Sequence, residues 1–221
     1  RYRGQGYGKD LTDEAQRLAK EQGCLASQTY TFSWQGGAFY QAVGYDLIAT
    51  YDGYVEGITE LILSKRLDNL SDEPSGGLDS ARFTVSKDST KEAQMTVRRG
   101  LGKNFDDHVG ELLKKYPQIP LQLIIRKNNG EVIGGLCGYS ILGTMTIDDL
   151  WVDARYRGQG YGTDLLEHAE AIARERKCMA LQTACFSFQN LAFLRRRGFE
   201  PFGVSDVYPK SVKEYYLIKR L

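Results

Sequence analysis

The sequence is poor in the side chains from which metal sites and secreted disulfide frameworks are built. It has two histidines and four cysteines in 221 residues, and no Cys-x-x-Cys pair, so we expect no structural zinc site. The spacing of the cysteines resembles no secreted framework. We therefore expect them to be reduced core residues of a cytoplasmic protein: Cys24, Cys137, Cys178 and Cys185.

Long apolar runs and an excess of one charge are also missing. No apolar run approaches the ~20 residues of a membrane span. The 29 Lys and Arg residues nearly balance the 28 Asp and Glu residues, and a net charge of +1 predicts no broad attraction to nucleic acid or to a membrane surface. With 42% hydrophobic and 26% charged residues, the composition is that of an ordinary globular protein of one large or two small domains.

An internal repeat organises the chain. Residues 1–67 (the first copy) align with residues 155–221 (the second copy) without a gap, and 30 of the 67 aligned positions are identical. Unrelated sequences would agree at roughly one position in twenty to one in fifteen, so the segment is duplicated. Because the chain begins inside the motif that opens both copies, and without an initiator methionine, we expect a fragment or a protein whose first residues were removed.

The repeat also predicts the domain organisation. Residues 68–80 are rich in Ser, Gly and Asp and have the composition of a linker. A complete unit then runs over residues 81–221, and the first copy corresponds only to its C-terminal half. We expect the first copy not to fold alone, because an exposed sheet edge would invite pairing. A homodimer, or a partner that completes the first copy, would cover that edge.

Hydrophobic periodicity and turn signals predict the elements of the complete unit. Helices are predicted at residues 89–113, 163–177 and 189–197, the first of them interrupted near Gly100 and Gly102. Strands are predicted at residues 81–86, 121–126, 131–141, 144–152, 178–184 and 212–219. The strands first form a meander and then alternate with helices, which predicts an α/β (α+β) fold with a mixed sheet flanked by helices.

A glycine-rich turn joins a predicted strand to a predicted helix. Glycines let the backbone approach a ligand closely, and the start of a helix favours a phosphate. A P-loop would need Gly-Lys-Ser/Thr, and a Rossmann turn would need Gly or Ala where Thr163 stands, with Lys9 at the matching place in the first copy. The turn reads Arg157-Gly158-Gln159-Gly160-Tyr161-Gly162 in the second copy and Arg3-Gly4-Gln5-Gly6-Tyr7-Gly8 in the first.

This turn resembles the Arg/Gln-x-x-Gly-x-Gly/Ala motif of the GNAT superfamily of N-acetyltransferases, and the resemblance extends over residues 81–221. It implies the GNAT fold, as one complete copy plus the C-terminal half of another, with acetyl-CoA as acyl donor and no metal. Residues Arg157 to Thr163 would then grip the pyrophosphate, as would the matching turn of the first copy, and the backbone of Val152 would hold the acyl group. A glycine turn without a ligand is the alternative.

The resemblance also assigns a residue to the coenzyme A arm and suggests catalytic groups. Asn190 aligns with a family Asn that contacts the pantetheine arm; a helix-capping role is an equal alternative. Asp148 and Asp149 are candidates for the base that deprotonates an amine, or they simply cap an exposed strand. Strand alternation would place them on opposite faces, with Asp148 on the face of Val152.

The family's general acid is a tyrosine four residues before a glycine, and the two copies differ there. The second copy has Leu194 at this position and the first copy has Tyr40. A leucine has no proton to donate, so we expect the complete unit to bind acetyl-CoA well and to turn over slowly, with Tyr40 the better placed acid. His108 and His168 are given no catalytic role.

The expected function is transfer of an acetyl group from acetyl-CoA to a primary amine by direct attack on the thioester. The acceptor would be a small-molecule or a protein amine, with neither nucleic acid nor membrane as partner. Leu194 favours an alternative, a catalytically weak acetyl-CoA-binding sensor or scaffold. A third interpretation gives residues 1–67 a purely structural role.

Overall fold

The computed structural model of the protein describes residues 4–68 and 90–221. The predicted strand at residues 81–86, Arg3 and nearly all of the predicted linker lie outside the described residues. In the first copy the elements are α1 (Tyr7–Glu21), β1 (Ala26–Phe32), α2 (Gly37–Ala42), β2 (Asp46–Tyr51) and β3 (Glu60–Arg66). They are followed by α3 (Lys91–Lys115), β4 (Ile119–Arg126), β5 (Val132–Ile141), β6 (Thr144–Val152), α4 (Tyr161–Glu175), β7 (Ala180–Phe186), α5 (Leu191–Arg196), β8 (Glu200–Ser205) and β9 (Glu214–Arg220).

These strands form two sheets of related topology. The larger sheet has the order β4-β5-β6-β7-β9-β8, and its β6–β7 pair is parallel while its other pairs are antiparallel. The smaller sheet has the order β1-β3-β2, which repeats the order β7-β9-β8. The mixed sheet predicted for the complete unit is confirmed. Within the described ranges, no helix is both long and apolar enough to cross a membrane.

The described elements depart from the predicted ones in two places. Helix α3 continues through Gly100 and Gly102 without the expected interruption, and a side chain at either position would meet no other atom within 4 Å. Glycine lowers helix propensity by about 1 kcal/mol but does not by itself end a helix. Strand β8 was not predicted; it lies at the edge of the sheet, where a strand tolerates a proline such as Pro201.

The four cysteines are free, as predicted, but they are not all core residues. Cys178 and Cys185 are buried and Cys137 is half-buried. Cys24 is exposed in the turn between α1 and β1, so the prediction of a core position is wrong for this residue.

The main core lies between α4 and one face of the larger sheet. The helix predicted from hydrophobic periodicity at residues 163–177 is confirmed, and its apolar residues Leu165, Leu166, Ala169 and Ala173 are buried. They pack in one cluster with sheet residues that include Met145, Ile147, Leu181 and Leu217. The glycine turn is therefore held at the start of a helix that is fixed to the sheet.

The opposite face of the larger sheet is covered by the first copy and by α3. Tyr54, Val55 and Ile58, from the connection between β2 and β3, share a buried cluster with Leu142, Ala180 and Ile218 of the sheet. The Tyr51 and Thr144 hydroxyl groups lie 3.1 Å apart, and the Val55 N–H donates to the Leu142 carbonyl at 3.0 Å. The first copy thus shares a core with the complete unit.

The two copies contact each other through equivalent residues, separated by 154 in number. Strand β2 packs against its counterpart β8, where Ala49 meets the matching Gly203. The Gln182 Nε2 donates to the Tyr54 hydroxyl at 3.3 Å, and the Tyr208 hydroxyl donates to the Gln28 Oε1 at 3.2 Å, which is the same pair with the copies exchanged. The contact therefore approximates the self-complementary interface of a twofold dimer.

We expect the substitution Gly203→Val to destabilise the protein by about 1–3 kcal/mol, since it overpacks this contact. A Cβ at Gly203 would lie 2.3 Å from the Ala49 Cβ. Thermal unfolding measures the effect, with Gly100→Ala on α3 as the control, because a Cβ there meets open space and should stabilise the helix by about 0.5–1 kcal/mol. An unchanged melting temperature for Gly203→Val would mean that the copies do not pack here in solution.

Candidate functional site

A cleft opens where two neighbouring strands of the larger sheet separate. Strands β6 and β7 pair from Thr144 to Ile147 and from Ala180 to Thr183. Beyond this point lies a cavity of about 120 Å³. It is lined by Ile147, Asp148, Asp149, Leu150, Thr183, Ala184, Gln189, Asn190 and Leu194. The structure thus brings together four of the residues singled out from the sequence, namely Asp148, Asp149, Asn190 and Leu194.

A β-bulge lies at the two aspartates. In the pairing with β5, Asp149 stands opposite Cys137 and Ile147 stands opposite Gly138, so Asp148 is an extra residue. A bulge interrupts the alternation of side chains along a strand. Ile147 before it and Val152 after it accordingly pack against the same core cluster. The expectation that parity separates the two aspartates, and places Asp148 on the face of Val152, is therefore wrong.

The surroundings of Asp148 favour its protonated form. Burial raises the pKa of this carboxyl group, and the neighbouring charge of Asp149 raises it further. The pKa of Tyr139 is raised by burial and then by the charge of Asp148. A carboxylate of raised pKa is a stronger base than an ordinary aspartate, and so better suited to take a proton from an amine.

The glycine turn leaves the same strand and enters α4. Gly158 and Gly160 have φ angles of 77° and 96°, in the left-handed region that favours glycine. A Cβ at either position would meet no other atom within 4 Å, so the turn is open to a ligand. The Arg157 Nε donates to the Val152 carbonyl at 2.9 Å. Since the first N–H groups of a helix have no acceptor within the helix, the turn presents donors and a positive dipole end.

The last glycine of the turn has a packing role that the sequence did not reveal. A Cβ at Gly162 would lie 3.4 Å from the ring of Phe193 on α5. At the matching Gly8 a Cβ would lie 3.2 Å from the ring of Phe39 on α2. Gly162 and Gly8 therefore let each long helix approach the short helix that follows it, in addition to any contact with a ligand. The only sequence signal was that Phe39 and Phe193 are identical in the two copies.

Two amide side chains stand at the start of α5. Asn190 is the N-cap residue of this described helix, but its side chain makes no capping hydrogen bond, so the capping alternative is wrong. It lines the cleft instead. The Gln189 Oε1 accepts a hydrogen bond from the Phe186 N–H at 2.7 Å. Gln35 makes the same contact in the first copy, and this shared residue was not singled out from the sequence.

Leu194 and Tyr40 have different surroundings. Leu194 is 2% exposed and belongs to the main core cluster while also lining the cleft. The Tyr40 ring lies 5.3 Å from that of Tyr45 in the first copy. Strand β1 pairs with β3, and the described residues contain no counterpart of β6 on its other edge. Tyr40 is thus not brought together with Asp148, and its role as an acid stays a prediction.

The turn of the first copy has the same backbone as that of the second. Gly4 and Gly6 have φ angles of 76° and 90°, and Gly6 precedes α1 as Gly160 precedes α4. The predicted ligand contacts of this turn, at Gly4, Gln5, Gly6, Tyr7 and Gly8, stay predictions, and no strand of the described residues stands beside β1 as β6 stands beside β7. A cluster of three or more His, Cys, Asp or Glu residues that could hold a metal ion is not present in residues 4–68 and 90–221.

Known proteins resemble this chain. The profile of the Acetyltransferase (GNAT) family matches residues 94–199. Blasticidin-S acetyltransferase of Streptomyces morookaense is 38% identical over 93 residues, which are 42% of this chain and 68% of that protein. An acetyltransferase of Agrobacterium fabrum is 31% identical over 121 residues, which are 55% of this chain and 85% of that protein.

The fold is shared with solved structures as well. A crystal structure of an acetyltransferase from Bacillus cereus has a TM-score of 0.58 and 28% sequence identity, and the match covers 64% of this chain and 99% of that one. A crystal structure from Agrobacterium tumefaciens, described as that of an acetyltransferase, has a TM-score of 0.57, again with 28% identity, and covers 63% of this chain and 99% of that one. The fold predicted from the sequence is thereby confirmed.

Proposed function

The chain belongs to the acetyltransferase (GNAT) family, and from that premise we propose that it transfers an acetyl group from acetyl-CoA to a primary amine by direct attack on the thioester. One observation carries this proposal. The strand that ends in the glycine turn also carries, at its bulge, the two carboxylates that line the cleft. A turn suited to a phosphate therefore follows shortly after the strand that carries the candidate base.

Acetyl-CoA would bind with its pyrophosphate at the turn from Arg157 to Thr163. The open backbone at Gly158 and Gly160 and the start of α4 favour this position, because they present N–H groups to solvent. Asn190 would contact the pantetheine arm in the cleft, with the acyl group at β6 near Val152. This order along the strand brings the thioester toward the aspartates.

Asp148 would accept a proton from the ammonium group of the acceptor, since an amine of pKa ~10 is mostly protonated at neutral pH. The free amine nitrogen then forms a bond to the carbonyl carbon, the carbon–sulfur bond breaks, and the nitrogen releases its second proton to solvent as the amide forms. Leu194 donates no proton, so the departing thiolate takes one from solvent. A thiolate is a tolerable leaving group, and the absence of an acid therefore slows the reaction without preventing it.

A catalytically weak acetyl-CoA-binding domain is the second candidate, and the burial of Leu194 favours it. At 2% exposure this side chain belongs to the core and leaves no donor at the point where the family places its acid. Binding would then exceed turnover by far, and the chain would act as a sensor or scaffold. Measuring turnover separates the two candidates.

The experiment is the release of free thiol from acetyl-CoA, measured with a panel of amines. We expect release that depends on both the protein and a primary amine, at a modest rate. Because one relative is named for blasticidin S, this compound belongs in the panel beside diamines, amino acids and peptide amines. If calorimetry shows that acetyl-CoA binds and no amine raises thiol release above the rate without amine, the sensor or scaffold function is correct.

A further inference from the structure

We propose that the first copy completes the acceptor side of the cleft, and that Glu60 of this copy binds a second positive charge on the acceptor amine. The inference rests on the proposed function and deepens it. The preferred acceptors would then be molecules with two cationic groups, such as diamines. Tyr54 would position the Glu60 carboxylate.

A chain of hydrogen bonds links Glu60 to the strands that form the cleft. The Tyr54 hydroxyl donates to Glu60 at 3.0 Å and accepts from the Gln182 Nε2 at 3.3 Å. The same Gln182 nitrogen lies 3.0 Å from the Thr146 hydroxyl oxygen. Gln182 and Thr146 pair across β7 and β6 one residue before these strands separate. The carboxylate of the first copy is thus tied to the point where the cleft opens.

The charges of Glu60 and Asp148 also act on the same aromatic side chain, that of Tyr139. Tyr139 pairs with Thr146 across β5 and β6. Burial raises the pKa of Tyr139, and the charges of Asp148 and, to a smaller degree, Glu60 raise it further. An acceptor with one amine at Asp148 and a second cation toward Glu60 would therefore lie along Tyr139. Aromatic faces beside carboxylates suit cationic ligands.

Glu60 is a carboxylate without a cationic partner in the described residues. Within these residues, no Lys or Arg side chain forms a salt bridge with its carboxylate. Burial raises the pKa of this carboxyl group, and the hydrogen bond from Tyr54 opposes that rise. Even a partly buried carboxylate such as Glu60 is costly without a counter-ion, and a cationic ligand would offset that cost. Charged pairs that exclude water are among the stronger polar contacts.

Glu214, the residue of the second copy that matches Glu60, has more hydrogen-bond partners than Glu60 within the part of the chain that the structure describes. Glu214 accepts hydrogen bonds from the Tyr208 hydroxyl at 2.6 Å and from the Tyr216 hydroxyl at 2.9 Å. Glu60 has the equivalent of Tyr208, which is Tyr54, but Ile62 stands where the second copy has Tyr216. Glu60 therefore accepts one tyrosine hydrogen bond where Glu214 accepts two. The carboxylate of Glu60 can still accept a hydrogen bond from a ligand.

The test compares 1,5-diaminopentane with pentylamine, which has the same length and one charge fewer. Their affinities for the full chain are measured by calorimetry with coenzyme A present. We expect the wild type to prefer the diamine, and Glu60→Gln to weaken diamine binding about tenfold or more while leaving pentylamine unchanged. A glutamine is isosteric and still accepts the Tyr54 hydrogen bond, so the fold should persist, as thermal unfolding will show.

Two further variants make the test specific to the charge of Glu60. Glu214→Gln, the matched substitution in the second copy, should leave the diamine preference unchanged. Glu60→Asp keeps the charge and should keep the preference for the diamine. If Glu60→Gln does not fold, the diamine preference of Glu60→Asp is the test, and its loss contradicts the proposal. A wild type without diamine preference, or a Glu60→Gln variant that loses both amines equally or neither, overturns the proposal. Because binding is read directly, a wild type that binds the diamine through Glu60 and releases no thiol would contradict the transferase function alone.

Discussion

Replacing Gly160 by glutamate is expected to abolish acetyl-CoA binding, with affinity lowered about a hundredfold or more. The φ angle of 96° at this position strains any residue with a Cβ. The new side chain would extend into the open space in front of α4, where the pyrophosphate is expected. Its negative charge would repel the phosphates and compete for the N–H groups at the start of the helix. Isothermal titration calorimetry with acetyl-CoA measures the loss.

The first copy supplies a matched control for this substitution. Gly6 has a φ angle of 90°, precedes α1 as Gly160 precedes α4, and has no other atom within 4 Å of its Cβ position. Gly6→Glu should therefore introduce the same backbone strain and the same charge. Since β1 has no counterpart of β6 beside it in the described residues, we expect affinity for acetyl-CoA to be unchanged in this variant. If both variants lose affinity for acetyl-CoA equally, the loss comes from backbone strain. If Gly160→Glu binds acetyl-CoA as the wild type does, the pyrophosphate does not bind at this glycine turn.

The parts of the site that the sequence predicts are those with a local signal. The glycine turn is local because a left-handed backbone at Gly158 and Gly160 demands glycine, whatever lies around it. The amphipathic pattern of α4 likewise reflects one helix packing on one sheet. The repeat made both signals stronger, since each occurs twice in matching context.

The bulge at Asp148 carried no such signal. One extra residue in a nine-residue strand leaves the hydrophobic pattern nearly unchanged, yet it alters the face of every residue that follows. The contact between the copies was equally hidden. Tyr54 and Gln182 are 128 residues apart and meet only because β2 packs against β8. Assigning faces by alternation along a strand therefore fails at the bulge. Considering each copy separately also fails to place Glu60 of the first copy near the cleft of the second.

The substitution Asp148→Asn is expected to lower turnover about a hundredfold at neutral pH, as is typical for the loss of a general base. The loss should shrink as the pH approaches and passes about 10, where half or more of the acceptor amine is already deprotonated. Stability should change in the opposite direction. Because the fold raises the pKa of Asp148, the ionised carboxylate destabilises the folded state above that pKa, and this effect vanishes as pH falls below the ordinary aspartate range. The variant should therefore melt no lower than the wild type at pH 7.

Asp149→Asn is the control that separates a base from its neighbour. The charge of Asp149 contributes to the raised pKa of Asp148, so removing it should lower that pKa and shift the acid limb of the pH–rate profile to lower pH. The base itself would remain, and turnover at neutral pH should fall far less than in Asp148→Asn. Both profiles are measured by thiol release with one amine at saturating acetyl-CoA. If the two variants lose equal activity at every pH, Asp148 has no special role. If Asp149→Asn loses more activity than Asp148→Asn, the base is Asp149.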